Sequence, residues 1–212
     1  MQPIFITGIG TDVGKTIVSA IVTEALQADY WKPIQAGFDT GTDALTVANL
    51  ITNTVSTFHK EVYKLQLPAS PHISAREENI SINLDIIANS FSSLSSSNSR
   101  IIIEGAGGLL VPLNENEFVI DLIEKLHAKV ILVSRNYLGS INHSLLTAAV
   151  CKQRNIDVIG WIFNDHYMDY EQEIVHWSGL SKIASVPLLQ TVTRESVLQQ
   201  AQLIRPSLMQ HL

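Results

Sequence analysis

The sequence predicts an α/β fold, in which a mostly parallel, twisted β-sheet has helices on both faces. Apolar runs typical of strands alternate with segments of helical spacing over nearly the whole chain, which favours a sheet built from strand–helix units. Three of these runs, at residues 100–104, 129–134 and 158–163, are almost continuously apolar, as expected of strands that helices cover on both sides. A glycine-rich turn joins the first apolar run to the first helical segment.

The remaining elements follow the same alternation. Further strands are expected at residues 4–6, 30–35 and 183–186. Helices are expected from about Glu195 onward and at residues 17–26, 43–53, 84–94, 119–127 and 140–154. Pro68 and Pro71 break any regular element in residues 63–76, and the Ser-rich residues 92–99 are interpreted as a helix end and loop. Since no internal repeat or domain boundary interrupts the pattern, residues 1–212 are predicted to form a single domain.

Composition and charge exclude several classes of protein. Hydrophobic residues make up 46% of the 212 residues and charged residues 16%, which argues for a globular core and against disorder. A net charge of −6 without a basic cluster argues against nucleic acid as a partner. The one cysteine, Cys151, allows no internal disulfide and is expected to be a buried helix residue. Since no Lys or Arg comes early and no apolar run approaches about 20 residues, we expect a cytoplasmic protein with no membrane partner.

The glycine-rich turn spans residues 7–16 and closes in Gly14-Lys15-Thr16. Such a turn between a strand and a helix is typical of a phosphate-binding P-loop. The helix N-terminus offers unpaired backbone N–H groups, Lys15 adds a positive charge, and Thr16 can ligate Mg²⁺. Five residues separate Gly8 from Gly14 where the general pattern has four. An ordinary glycine-rich turn is therefore the alternative to a nucleotide site.

Polar residues gather where the predicted strands end, which is where ligands bind in open α/β sheets. Beyond the P-loop, these strand ends are residues 32–37, 104–108, 134–136 and 164–165. Thr16, Asp43 and Glu104 offer the oxygen ligands that Mg²⁺ prefers. Glu104 has the stronger case, because an unpaired carboxylate at the end of a buried strand would be costly, whereas Asp43 could equally be a helix N-cap. Asp12 could position substrate or a second metal-bound water, or simply form the turn.

Lys32 and a second helix start are two further candidate sites. Lys32 follows a predicted strand and could neutralise the γ-phosphate; the alternative is a solvated surface lysine. Residues 138–143 open a helix with small residues and could bind a second anion; the alternative is a helix capped by Ser140. His72 and His143 are interpreted as hydrogen-bonded loop or cap residues, without a catalytic role.

Several of these residues belong to a set of motifs. The set comprises the P-loop with one extra residue, Lys32-Pro33, Asp43-Ala44, Ser70-Pro71-His72, Glu104 to Gly108, Leu138-Gly139, Ile141-Asn142-His143 and Asn164-Asp165. Between Thr7 and about Leu189 this set resembles the ATP-dependent dethiobiotin synthetase family. The resemblance implies a P-loop NTPase-like fold and a ligase that uses ATP and Mg²⁺. The reaction would convert 7,8-diaminopelargonate and CO₂ (or bicarbonate) to dethiobiotin, through a carbamate and a carbamic–phosphoric anhydride, with release of ADP and phosphate.

The resemblance also implies a role for each matching residue. Lys15, Lys32 and Thr11 would act on the reacting groups, and Mg²⁺ would be held by Thr16, Asp43 and Glu104. The nucleotide would contact Asp12, Val13, Gly14, Lys15, Thr16, Ile17, Glu104, Gly105, Ala106, Gly107, Asn164, Asp165, Pro187, Leu188 and Leu189. The substrate would contact Thr11, Lys32, Ala36, Gly139, Ser140 and Asn142. The family is a homodimer, so the helix start at 139–142 would hold the substrate carboxylate across the interface.

Some positions depart from the family pattern. Ala36 lacks the hydroxyl that Ser or Thr often supplies there, and the segment between Gly37 and Asp43 is short. The match fades beyond Leu189. A family acidic residue near the adenine could correspond to Glu195, but no role is assigned to Glu195.

Two other classes of protein have a related P-loop domain. A switch ATPase of the partition or division-site type acts through protein partners and usually has a second lysine in the P-loop, which residues 10–14 lack. Its basic amphipathic tail has no counterpart in residues 205–212. An amidotransferase-type synthetase would need a nucleophilic cysteine in a glutaminase, and Cys151 in a predicted helix does not fit that role.

Overall fold

A seven-stranded parallel sheet forms the centre of the computed structural model, which describes residues 2–94 and 100–212. The strands in chain order are β1 (Gln2–Gly8), β2 (Asp29–Trp31), β3 (Ile34–Ala36), β4 (Phe58–His59), β5 (Tyr63–Leu65), β6 (Arg100–Gly108), β7 (Lys129–Arg135), β8 (Val158–Asn164) and β9 (Lys182–Val186). The helices are α1 (Lys15–Leu26), α2 (Asp43–Leu50), α3 (Pro71–Glu77), α4 (Leu84–Ser92), α5 (Val119–Lys125), α6 (Ser140–Gln153), α7 (Glu171–Ser178) and α8 (Arg194–His211). No helix in these described parts is long and apolar enough to cross a bilayer.

The strand order places β1 in the middle of the sheet. The order is β4-β2-β6-β1-β7-β8-β9, and each neighbouring pair is parallel. From β1 the chain first builds one side of the sheet and later the other, so the direction of winding reverses at β1. Ligands in open α/β sheets bind at the carboxyl ends of the strands beside such a reversal. The P-loop follows β1 and therefore lies in that crevice.

Alternate residues of the central strands serve two separate cores. Ile4 and Ile6 of β1 pack with α1 and α8 on one face, whereas Phe5 packs with α4, α5 and α6 on the other. This division follows from the two-residue period of a strand, which sends successive side chains to opposite faces. Because helices cover both faces, the strands are apolar throughout, and the predicted fold class is confirmed. Cys151 is buried in the second of these cores, as expected, and is a free thiol.

The strand expected at residues 30–35 is divided in the structure. The chain turns at Lys32 and Pro33, and the Pro33 carbonyl accepts hydrogen bonds from the backbone N–H groups of Val62 and Tyr63. As a result β2 remains in the main sheet, while β3 pairs with β5 in a separate two-stranded sheet. The expectation of one continuous strand was wrong, because the turn is stabilised by a segment about thirty residues away along the chain.

Residues 63–76 are more regular than expected. Pro71 is the first residue of α3, where the missing N–H of proline would have no helical partner in any case. The short elements β4, β5 and α7 were not predicted, and α2 ends at Leu50 rather than at residue 53. The helix expected at residues 84–94 ends two residues earlier, at Ser92, and residues 95–99 of the predicted loop lie outside the described residues.

Hydrogen bonds to Glu24 connect α1 with the segment that follows α2. Its buried carboxylate accepts hydrogen bonds from the backbone N–H groups of Thr52 (2.8 Å) and Asn53 (3.1 Å), and from both of their side chains. Burial disfavours the charge, but these four donors outweigh it and hold the pKa of Glu24 below its usual value.

Replacing Glu24 with glutamine is expected to lower the free energy of unfolding by about 1–3 kcal/mol at pH 7, because several donors lose a charged acceptor. The stabilisation from a depressed carboxyl pKa is present at neutral pH and is lost as the pH falls through the folded-state pKa. Urea unfolding at pH 7 and at about pH 4 or below should therefore show a difference that shrinks in acid. The exposed Glu77→Gln is the control and should change stability by less than about 0.5 kcal/mol. Equal effects for the two variants at pH 7 would contradict the prediction.

Candidate nucleotide-binding site

The P-loop curls back on itself between β1 and α1. The Lys15 ammonium donates a hydrogen bond to the Gly10 carbonyl at 2.8 Å, and Asp12 and Gly14 both have positive φ. Lys15 is only 8% exposed, and this burial lowers its pKa to about 8 despite the nearby Glu104 carboxylate. A desolvated ammonium enclosed by backbone at a helix N-terminus is suited to holding an anion.

Asn164 at the end of β8 lies directly against the P-loop. Its side-chain amide nitrogen donates to the Val13 carbonyl at 3.0 Å. The same nitrogen occupies the space that a Cβ on Gly14 would need, and Gly14 has φ +89°. Asn164, which is expected to contact the nucleotide, thus also holds the phosphate loop.

Four side chains from four different segments meet beside the P-loop. The Lys32 ammonium forms ion pairs with Asp43 and with Glu104, the latter at 3.0 Å. The Thr16 hydroxyl lies 3.1 Å from Asp43 Oδ1 and 2.9 Å from Glu104 Oε1. Thr16 and Asp43 lie at the starts of α1 and α2, Lys32 directly follows β2, and Glu104 lies in β6. The prediction that this strand ends at Glu104 was wrong, because β6 continues to Gly108.

Burial and neighbouring charges shift the pKa values of Lys32 and Asp43 in this cluster. Lys32 is 6% exposed and Glu104 1%, so Lys32 is not the solvated surface lysine that was the alternative. Burial opposes the charge on Lys32, but Glu104 and Asp43 outweigh it and raise the pKa of the ammonium above its usual value. Burial likewise disfavours the charge on Asp43, yet Lys32 holds the pKa of that carboxyl below its usual value. Both shifts favour the charged forms of Lys32 and Asp43 at neutral pH.

The oxygen atoms of this cluster fit Mg²⁺. Asp43 and Glu104 already share a cation, the Lys32 ammonium, and the Thr16 hydroxyl touches both carboxylates. Across residues 2–94 and 100–212 no group of three or more His, Cys, Asp or Glu side chains could hold a metal. Mg²⁺ is typically bound by one or two carboxylates, and water and substrate phosphates supply its remaining oxygen ligands. Two carboxylates and a hydroxyl therefore fit part of its coordination shell. Asp43 is not the N-cap of α2, since Thr42 fills that position.

A cavity of about 930 Å³ opens over the P-loop and this cluster. Among the residues expected to bind nucleotide or substrate, those lining it are Thr11, Asp12, Gly14, Lys15, Thr16, Ile17, Lys32, Ala36, Asp43, Glu104, Ala106 and Gly107. The expected residues outside its lining are Val13, Gly105, Asn164, Asp165, Pro187, Leu188, Leu189, Gly139, Ser140 and Asn142. Asn164 nevertheless touches the loop from behind, and Asp165 pairs with Arg135 at 3.2 Å.

The second helix start, before α6, has a different environment. Gly139 is the N-cap with φ +103°, so Ser140 is not the capping residue. The Ser140 side chain is fully buried and its hydroxyl hydrogen-bonds with the Tyr170 hydroxyl at 2.7 Å. Asn142 is exposed, and nearby Leu138 has 84% of its surface exposed. This helix start faces outward rather than into the cavity of its own chain.

Two further residues that sequence reasoning missed support the cluster. Gln35 accepts a hydrogen bond from the Asp43 backbone N–H at 3.1 Å and donates to the Gly37 carbonyl at 2.8 Å. Tyr30 donates from its hydroxyl to Glu104 Oε2 at 2.8 Å. Neither role has a local sequence signal, because the contacts with Asp43 and Glu104 form only when the chain folds. Gln35 does lie within the strand end at 32–37, where polar site residues were expected.

These features define the class of protein as a P-loop protein of the nucleoside-triphosphate-binding α/β type. A family model described as "AAA domain" matches residues 2–196. The chain is similar to the ATP-dependent dethiobiotin synthetase of Cytophaga hutchinsonii, with 48% identity over 93% of this chain and 94% of that protein. It is also similar to that of Christiangramia forsetii, with 52% identity over 76% of this chain and 74% of that protein. The chain belongs to the ATP-dependent dethiobiotin synthetase family.

Solved structures support the fold at lower similarity. A ParA family ATPase from Chlorobium tepidum matches with a TM-score of 0.59 and 14% identity, over 99% of this chain and 90% of that chain. The cell division protein MinD from Aquifex aeolicus matches with a TM-score of 0.59 and 16% identity, over 97% of both chains. At such identities these likenesses establish the common fold alone.

Proposed function

We propose that this chain catalyses the ATP-dependent carboxylation and ring closure of 7,8-diaminopelargonate to dethiobiotin. The observation that supports this best is the pair of buried lysines, Lys15 and Lys32, facing one cavity beside two carboxylates. A phosphoryl transfer between two small anions needs positive charge on both sides of the transferred group. The function of the similar synthetases, 37–52% identical to this chain, agrees with this proposal.

In the proposed reaction one amine of the diamine adds to CO₂, loses a proton to solvent water and becomes a carbamate. A carbamate oxygen attacks the γ-phosphorus of ATP, and ADP leaves. The second amine then attacks the carbonyl carbon of the anhydride and expels phosphate, which can accept the amine proton, and the cyclic urea closes. The protein forms no covalent bond, so its contribution is positioning and neutralisation of charge.

Lys15 and Lys32 have separate parts in this scheme. Lys15 and the backbone N–H groups at the start of α1 hold the phosphates, and Lys32 neutralises the carbamate and the phosphoryl group in transit. Thr11 is exposed on the cavity side of the P-loop and would contact the diamine. Thr16, Asp43 and Glu104 would hold Mg²⁺, which when bound would neutralise the phosphate charge. Asn164 and residues 187–189 would receive the adenine.

A second copy of the chain would complete the substrate site. The helix start at Gly139 faces outward, and Leu146 of the same helix and Leu110 after β6 expose more than half of their surface (58% and 56%). These leucines line an apolar hollow of about 290 Å³ that also includes Gly10 of the P-loop. A partner seated on this face would bury the leucines, and its own helix start would offer N–H groups to the substrate carboxylate. Homodimerisation is therefore part of the proposal.

ATP turnover should depend on both remaining substrates. We expect phosphate release in the presence of 7,8-diaminopelargonate and bicarbonate together, and only background release when either is omitted. Phosphate release measured alongside dethiobiotin by mass spectrometry would show equal amounts of the two products. Turnover that needs neither compound but is stimulated by DNA or lipid vesicles would overturn the proposal in favour of a switch ATPase.

A further inference from the structure

The Tyr30 side chain contacts Glu104, one of the four side chains that meet beside the P-loop. Tyr30 lies on β2, beside Ile102 of β6, two residues before Glu104. Its side chain is fully buried, its ring packs against Phe58 at 5.6 Å between centroids, and its hydroxyl donates to Glu104 Oε2 at 2.8 Å. A ring held on all sides gives its hydroxyl one fixed position, so the hydrogen bond to Glu104 is fixed as well.

The two oxygens of the Glu104 carboxylate have different partners. Oε1 accepts hydrogen bonds from Thr16 at 2.9 Å and from Lys32 at 3.0 Å, on the side of the cavity. Oε2 points away from these groups and, within the described ranges, has the Tyr30 hydroxyl as its hydrogen-bond donor. A carboxylate with one anchored oxygen cannot rotate freely about its last bond. The anchor therefore fixes the plane of the carboxylate and leaves one oxygen directed toward the cavity.

From this arrangement we infer that Tyr30 is a positioning residue for the metal site, which fixes the Glu104 carboxylate so that one of its oxygens stays directed toward a metal ion in the cavity. The inference rests on the proposed role of Glu104 as a Mg²⁺ ligand. Groups that hydrogen-bond to a metal ligand typically change metal affinity or activity by about 10–100-fold when they are removed. Tyr30 does not itself line the cavity and reaches it through Glu104, so its loss should affect the metal and leave metal-free nucleotide binding intact.

The test compares ADP affinity with and without metal. Calorimetry on Tyr30→Phe is expected to show an ADP affinity in EDTA within about twofold of the wild type. The increase in ADP affinity on adding Mg²⁺ should be smaller than in the wild type by about 10-fold. Binding of Mn²⁺ in the presence of ADP, followed by electron paramagnetic resonance, should weaken to the same extent. A structural role alone would lower the melting temperature and leave the metal-dependent increase unchanged.

Tyr63→Phe is the matched control. It also removes a hydroxyl with one hydrogen bond, which this hydroxyl accepts from the Asn83 backbone N–H at 3.0 Å, but that partner is not one of the four side chains beside the P-loop. The metal-dependent increase in Tyr63→Phe should equal that of the wild type. An undiminished increase in Tyr30→Phe, or an equal loss in both variants, would overturn the inference.

Glu104→Gln separates this inference from the proposed function. If Glu104→Gln keeps the full metal-dependent increase, Glu104 is not a ligand and the proposed metal site fails. If Glu104→Gln loses it but Tyr30→Phe does not, only the role of Tyr30 fails. The double variant gives an answer even if Tyr30→Phe alone does not fold, because it also removes the buried carboxylate whose Oε2 would lose its hydrogen-bond donor. Its metal-dependent increase should equal that of Glu104→Gln, and a further loss would mean that Tyr30 acts elsewhere.

Discussion

Replacing Lys32 with alanine is expected to abolish dethiobiotin formation while ADP still binds. Lys32 is the buried cation between Asp43 and Glu104, and it faces the cavity into which the transferred phosphoryl group must fit. Removal of one group that stabilises transition-state charge typically lowers kcat by about 10²–10³-fold. We expect a loss of at least this size, because the two carboxylates left behind would repel the anionic substrates as well.

Three measurements check the Lys32 prediction. Single-turnover formation of dethiobiotin reports the chemical step, and ADP affinity in the presence of Mg²⁺ should stay within about fivefold of the wild type because Lys15 still holds the phosphates. Lys152→Ala on the exposed side of α6 is the control for loss of one positive charge, and it should be as active as the wild type. Product formation in Lys32→Ala within tenfold of the wild type would remove Lys32 from the mechanism.

Gly14→Ala is expected to have the second largest effect, on nucleotide affinity. Gly14 has φ +89°, which a residue with a Cβ adopts only with strain, and the new methyl would overlap the Asn164 side-chain amide. Overpacking of this kind costs about 1–3 kcal/mol. Because the overlap lies within the loop that binds the phosphates, we expect ADP affinity to fall by about 100-fold.

The chain contains a matched control for this substitution. Gly179, at the C-terminus of α7, also has positive φ (+68°), but no atom lies within 4 Å of the position of its Cβ. Gly179→Ala therefore has the same kind of backbone strain without the overlap and should bind ADP as the wild type does. Calorimetry on both variants distinguishes the two causes. If Gly14→Ala bound ADP normally, contact between Asn164 and the P-loop would not limit the choice of residue at 14.

Much of the site could be predicted from the sequence because the chemistry lies in local motifs. The P-loop follows a strand and opens a helix, so Lys15 and Thr16 are placed by neighbouring residues alone. Glu104 was predictable because an unpaired carboxylate directly after three isoleucines would be costly, although β6 continues past it to Gly108. Lys32 was predicted as a candidate, but its burial between two carboxylates depends on α2 and β6, which are distant in the chain.

The sequence by itself determined the fold class, the phosphate loop and the family, since strand and helix periodicity and motif residues are properties of short segments. Only the tertiary structure decided which side chains meet. It divided the strand at Lys32, placed Asn164 against Gly14, and brought the Tyr30 hydroxyl into contact with Glu104. The physical reason is that these contacts join segments whose spacing along the chain carries no pattern, and they form only when the parallel strands align their carboxyl ends at one edge of the sheet.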